Sequence, residues 1–138
     1  KERGLRRLAA LAAELVCEVV PRPSAYTLTF VPADPNRRLD RGHNPAERLA
    51  VEIGARWQLP VVSLLARAHG VAPQRGLPLA ERRRNVRGVF QATSRSARAV
   101  VLVDDVYTSG ATVSAAATAL RKAGASRVEV VTFARAVR

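Results

Sequence analysis

The sequence predicts an α/β fold, a single domain with one open, mostly parallel twisted sheet and flanking helices. Three observations predict it. Segments with helical and strand-like apolar spacing alternate along the chain. Residues Ala99 to Val103 are continuously apolar, as a strand covered on both faces must be. The 138 residues suit one apolar core and leave little for a second, so residues 1–138 are read as one domain without internal repeats.

Taken in order, Leu5, Leu8, Ala12, Leu15 and Val19 recur at helical spacing, with Arg3, Arg6, Arg7, Glu14 and Glu18 on the other face. Pro21 and Pro23 end this opening helix, and Tyr26 to Val31 reads as a strand that Pro32 terminates. A polar loop, 33–43, follows. Asn44 is a helix cap, Pro45 suits the first helical position, and Glu47 stands where a capping box needs an acid. Ala46, Leu49, Ala50, Ile53 and Trp57 then form one apolar stripe that must be buried.

Pro60 to Leu65 reads as a second strand. Residues 66–88 are basic and contain proline, and they read as a flexible loop in which Leu79 to Arg84 could form a helical turn. Val86 to Ala92 and Ala99 to Val103 are the next strands. Val113, Ala116, Ala117 and Leu120 mark a helix with Arg121 and Lys122 at its negative end and Gly124 as its stop. Arg127 to Ala134 closes the pattern as a strand.

Composition narrows the function classes. No apolar run approaches the ~20 residues of a bilayer span and the start does not resemble a signal peptide, so a cytoplasmic protein is expected. Cys17 is the only cysteine, which leaves no internal disulfide and no thiolate zinc cluster in this sequence. The formal charge of +12 would attract polyanions. Nearly all of the basic residues are arginines, however, a skew that a GC-rich coding bias produces without functional demand. Tyr26, Phe30, Trp57, Phe90, Tyr107 and Phe133 lie mostly in apolar patterns, so no base-stacking platform is evident.

The chemistry concentrates in one segment, Val100 to Thr112. In an open α/β sheet, ligands bind beyond the carboxyl ends of strands, and here such an end carries Asp104 and Asp105 before a small, hydroxyl-rich turn. Backbone N–H groups, the hydroxyls of Thr108, Ser109 and Thr112, and the positive end of the next helix can wrap a phosphate, with Gly110 allowing close approach. The segment is neither a Walker loop nor a Gly-x-Gly-x-x-Gly turn. Two adjacent carboxylates suit the vicinal hydroxyls of a sugar that carries the phosphate.

This segment resembles the signature of the type I phosphoribosyltransferases. The resemblance implies that Asp104 and Asp105 bind the ribose hydroxyls, with Mg2+ held indirectly through them, while Val106, Tyr107, Thr108, Ser109, Gly110, Ala111 and Thr112 hold the 5′-phosphate. Two further stretches are similar to the ComF-like branch, associated with bacterial DNA uptake and competence: Arg41-Gly-His-Asn-Pro-Ala-Glu47 and Leu79-Ala-Glu-Arg-Arg-Arg-Asn-Val-Arg-Gly-Val-Phe90. His43 stands where that branch has an aromatic and Pro45 where it has glutamine. The N-terminal four-cysteine zinc ribbon common in the branch has no counterpart in this sequence.

The resemblance further implies a substrate, 5-phosphoribosyl 1-diphosphate, and transfer of its phosphoribosyl group to a nitrogen acceptor. Arg37 and Arg38, on the loop after the first strand, are candidates for the diphosphate, and Arg84 with Asn85 for a loop that closes over substrate. Thr108 stands where the purine-salvage branch usually has an acid, so efficient purine salvage is not expected. Single-stranded DNA and competence proteins are the partner classes the branch suggests. Two alternatives keep part of this picture: a non-catalytic sensor of phosphoribosyl diphosphate, and a basic DNA-binding accessory protein. Acceptor and oligomeric state are not written in the sequence.

Overall fold

A computed structural model describes residues 2–34, 42–68 and 88–136. Its elements, in chain order, are α1 (Glu2–Val19), β1 (Thr27–Phe30), α2 (Pro45–Trp57), β2 (Leu65–Arg67), β3 (Phe90–Ala92), β4 (Ala99–Tyr107), α3 (Ala111–Lys122) and β5 (Arg127–Arg135). Strands β1, β4 and β5 form a parallel sheet in the order β1-β4-β5, and β2 and β3 form a separate antiparallel pair. The expected α/β architecture with a parallel sheet and flanking helices is therefore present. No helix among the described residues is long and apolar enough to cross a membrane.

Central strand β4 explains why its sequence is apolar without alternation. Successive side chains point to opposite faces of a strand. Val101 and Val103 pack with Leu28, Ala50, Ile53 and Trp57 under α1 and α2, whereas Val100 and Leu102 pack with Val113, Ala116 and Leu120 of α3. Both faces are thus dry, and Val101, Leu102 and Val103 are fully buried. Each such side chain contributes roughly 1.5–3 kcal/mol through burial.

The stripe expected on α2 is realised, since Ala46, Leu49, Ala50, Ile53 and Trp57 are all buried. Asn44 caps it, its side-chain oxygen accepting from the N–H of Ala46 at 3.1 Å while its amide donates to the Val31 carbonyl at 3.0 Å. One side chain thereby starts α2 and ties that start to the end of β1. The capping box is not completed: among the described residues the Asn44 N–H makes no bond to the Glu47 carboxylate, and the cap reaches the second helical amide rather than the third.

Several element limits differ from those expected. In α1 the buried residues are Ala12, Ala13 and Val16, while Leu8, Leu15 and Val19 of the apolar stripe are 54–80% exposed. Small residues win that face because α1 lies against both α2 and the sheet, where alanine allows close approach. Pro60 to Leu65 does not form one strand. Val61 makes a parallel bridge to Leu28, with Leu28 N–H donating to the Pro60 carbonyl and Val62 N–H to the Leu28 carbonyl. Pairing then stops, since the Leu64 N–H is taken by the Thr29 hydroxyl at 3.2 Å. β2 begins at Leu65 and claims residues 66 and 67 from the segment read as loop, of which residues 69–87 lie outside the described residues. β3 covers Phe90–Ala92, whereas residues 86 and 87 of the run expected from Val86 lie outside the described residues. β4 continues past Val103 to Tyr107, because β5 stays paired with it that far.

Candidate functional site

The connection β1–α2 returns on one face of the sheet and β4–α3 on the other, as the membership of the two core clusters shows. Neighbouring strands whose following helices lie on opposite faces leave a crevice between their carboxyl ends. β1 and β4 are such a pair: Phe30 is in register with Val103, and the Val31 N–H donates to the Val103 carbonyl at 3.0 Å. The next two residues of β4 are Asp104 and Asp105. The topology thus places the tandem acids at the crevice, a property of the strand order that no single segment contains.

The two acids differ in environment. Asp104 is buried, at 8% exposure, and its carboxylate accepts from the Asp105 N–H at 3.0 Å. Burial, then the hydrogen bond and the charge of Asp105, push its pKa up to about 7, against the smaller opposing pull of the Asp105 amide and the Arg67 guanidinium. Asp105 is half-buried and faces a cavity of about 200 Å³ whose other walls include Leu8, Ala12, His43, Leu49 and Phe133. Val106 lines the same cavity and is 42% exposed.

Beyond the acids, Thr108, Ser109 and Gly110 make the turn into α3. Gly110 has φ +77° and caps the helix without a side-chain hydrogen bond. A Cβ there would meet the Tyr107 hydroxyl and come within 2.9 Å of Tyr107 Cζ, so the turn closes only with glycine. Ser109 Oγ accepts weakly from the Ala111 N–H at 3.4 Å. The N–H groups of Thr112 and Val113 have no acceptor among the described residues. These free amides, the exposed side chains of Thr108 and Ser109 and the positive helix end supply donors suited to a phosphate.

Asp104 to Thr112 thus run without interruption from the last part of β4 through the turn into α3, with Asp104 buried and Asp105 at the cavity. Tyr107 is placed differently from an open ligand contact: it packs against the α3-side core, with the Arg135 guanidinium 5.8 Å from its ring centre. Arg37, Arg38, Arg84 and Asn85 lie outside the described residues. Sequence reasoning missed Arg67. Its Nε donates to the Pro32 carbonyl at 3.2 Å, its guanidinium sits 5.1 Å from the centre of the Phe90 ring, and its charge reaches Asp104. An arginine closing an apolar run was the only available signal, and it gave no hint that β2 would lie beside the end of β1. His43 lines the cavity beside Asp105.

Hard carboxylate oxygens facing a crevice fit Mg2+, which binds through one or two carboxylates together with substrate oxygens. Among the described residues no cluster of three or more His, Cys, Asp or Glu could hold a metal on protein ligands alone. The donor set thus fits an ion that arrives with its substrate.

Comparison with known proteins gives a consistent result. The phosphoribosyl transferase domain family matches residues 41–137. The competence protein F of Haemophilus influenzae is 34% identical over 140 aligned residues, covering 98% of this chain and 61% of that protein. The chain thus spans about three-fifths of that relative's length. Among solved structures, the glutamine phosphoribosylpyrophosphate amidotransferase of B. subtilis, complexed with ADP and GMP, superposes with a TM-score of 0.61 at 23% identity, over 94% of this chain and 26% of that one. The hypoxanthine phosphoribosyl transferase of Trypanosoma cruzi gives 0.52 at 9% identity, over 100% of this chain and 76% of that one. These two superpositions speak to the fold.

Proposed function

The chain belongs to the phosphoribosyltransferase family, on its ComF-like branch, and from that premise we propose that it binds 5-phosphoribosyl 1-diphosphate with Mg2+ and transfers the phosphoribosyl group to a nitrogen acceptor. The observation that carries this is the order of the segment at the β1/β4 crevice, with Asp104 and Asp105 leading into a glycine turn and a helix start whose Thr112 and Val113 amides have no acceptor among the described residues. The ribose diol would donate to the two carboxylates, and the 5′-phosphate would sit on the Thr108–Thr112 turn. Each charge-assisted hydrogen bond of this kind contributes roughly 1.5–3 kcal/mol.

In the reaction the bond between the anomeric carbon and the diphosphate oxygen breaks, with its electron pair leaving on diphosphate. The bond from that carbon to the acceptor nitrogen forms, and the nitrogen's proton passes to solvent. Positive charge develops on the sugar ring, so ionised carboxylates beside the diol favour the transition state. Mg2+, when bound, neutralises the diphosphate, and Asp104 and Asp105 would hold it through the ribose hydroxyls. Arg37, Arg38 and Arg84 are proposed to take up the charge of the leaving group. Thr108 supplies no acid for an incoming purine, and the acceptor is therefore sought outside purine salvage.

Calorimetric titration of the chain with 5-phosphoribosyl 1-diphosphate and Mg2+ tests the site. We expect saturable binding, weakened at least about tenfold, or 1.4 kcal/mol, by Asp104→Asn with Asp105→Asn. Absence of binding to the folded wild-type chain, or equal binding to the double variant, would overturn the assignment. Binding without diphosphate release across a broad panel of amines and bases would make the protein a sensor instead of a transferase.

A further inference from the structure

We propose that α1 is the centre of a two-fold homodimer interface, in which it pairs antiparallel with α1 of a second copy. The reasoning starts from a face that the monomer leaves open. Leu8, Leu11, Leu15 and Val19 are 61%, 59%, 54% and 80% exposed, and their spacing puts them on one stripe of the helix, beside the buried side formed by Ala12, Val16 and Ala13. Phe133 of β5, 46% exposed, shares a cavity with Leu5, Leu8, Ala9 and Ala12, so the stripe continues onto the last strand of the described sheet. Four large apolar side chains in one exposed row mark an interaction surface more strongly than scattered ones do.

The charges beside the stripe identify the occupant. Arg3, Arg7, Glu14 and Glu18 follow one flank of α1, at spacings that keep all four on the same side. Their arrangement is unfavourable for the helix alone. Arg3–Arg7 and Glu14–Glu18 are like-charge neighbours one turn apart, each pair destabilising an isolated helix. Cations also stand at the positive end and anions at the negative end, against the helix dipole. Among the described residues none of the four makes an ion pair.

A second, antiparallel α1 resolves every one of these conflicts at once. Arg7 then faces Glu14 of the second copy and Arg3 faces its Glu18, since both pairs are centred on the same point between positions 10 and 11. The same centre, within one residue, puts Leu11 against Leu11 and Leu8 against Leu15. A two-fold axis makes such a patch self-complementary, and a parallel pairing would set arginine against arginine. The chain's charge of +12 opposes self-association, which leaves the apolar stripe as the source of affinity and the flank as the source of register.

Sedimentation equilibrium of the full chain at physiological ionic strength tests the proposal. The expected result is a reversible dimer, reduced at least about tenfold in association constant by Leu11→Glu. Arg7→Glu alone should weaken the dimer about three- to tenfold, and Arg7→Glu with Glu14→Arg should restore it, as exchanged charges do in a specific pair. Circular dichroism checks that each variant keeps its helix content. A chain that stays monomeric up to about 1 mM overturns the proposal. So does a dimer indifferent to both Leu11→Glu and Arg7→Glu, or a stripe that binds only a different, acidic partner.

Discussion

Asp104 carries the clearest pH signature in the molecule. Burial beside a second carboxylate holds its pKa up at about 7, whereas in an unfolded chain it titrates near about 4. A raised folded-state pKa means that the stability linked to this proton is complete below about pH 4 and is lost as the pH rises through about 7. Asp104→Asn keeps the side-chain shape and removes the ionisation. Urea denaturation should therefore show the variant gaining on wild type between about pH 4 and pH 8, by on the order of 2 kcal/mol after solvent screening. A gap that stays constant over that range would show that the carboxyl is not held protonated. Ligand binding reverses the bias, because sugar hydroxyls donating to the acids favour their charged form. Affinity for 5-phosphoribosyl 1-diphosphate should accordingly rise as the pH passes through about 7, with proton release visible as a buffer-dependent binding enthalpy. The identity of this residue was legible in the sequence, and its proton was not. The pKa depends on burial and on the meeting of Asp104 with Asp105 and Arg67, which the fold supplies.

Among the elements, α2 was the most legible. Asn44, Pro45 and a five-residue apolar stripe are local signals, and local signals survive folding when nothing tertiary competes. Gly54 in its middle carried no such signal. A Cβ there would lie 2.5 Å from Val61 Cγ2 and 2.9 Å from the Leu59 carbonyl, so glycine is what lets α2 approach the chain beside β1. Gly54→Ala is therefore expected to destabilise the fold by about 1–3 kcal/mol despite its better helix propensity. Adding Val61→Ala should recover only part of that loss in thermal denaturation, because the backbone contact remains. Equal stability of Gly54→Ala and wild type would show that the helix can withdraw freely. The burial of α1 was not legible for a related reason. Periodicity reports which residues share a face, but which of two apolar faces meets the sheet is decided by the neighbours, and alanines fit the narrower gap.

For the whole molecule, charge and topology give separate predictions. The formal +12 is spread over the chain as arginine, and any DNA binding it supports should be with phosphates, falling steeply with salt. Such binding should be unchanged in Asp104→Asn with Asp105→Asn at constant salt, while sugar-phosphate binding is lost. Filter binding of single-stranded DNA beside the calorimetric titration separates the two, and a parallel loss of both would place DNA in the crevice itself. Topology controls the crevice. With the order β1-β4-β5 and helices leaving on opposite faces, the ends of β1 and β4 form a gap beside the β4 acids.

The sequence by itself determined the α/β class, the central buried strand, the capped helix α2 and the acid–glycine segment. Each of these rests on the chemistry of neighbouring residues, such as apolar runs, caps and turn formers. Only the tertiary structure decided that Arg67 and His43 approach the acids, that burial raises the pKa of Asp104 while Asp105 faces a cavity, and that α1 turns its leucines outward. Those outcomes depend on distances between segments far apart in the chain. Packing and electrostatics set such distances together, and no local pattern encodes them.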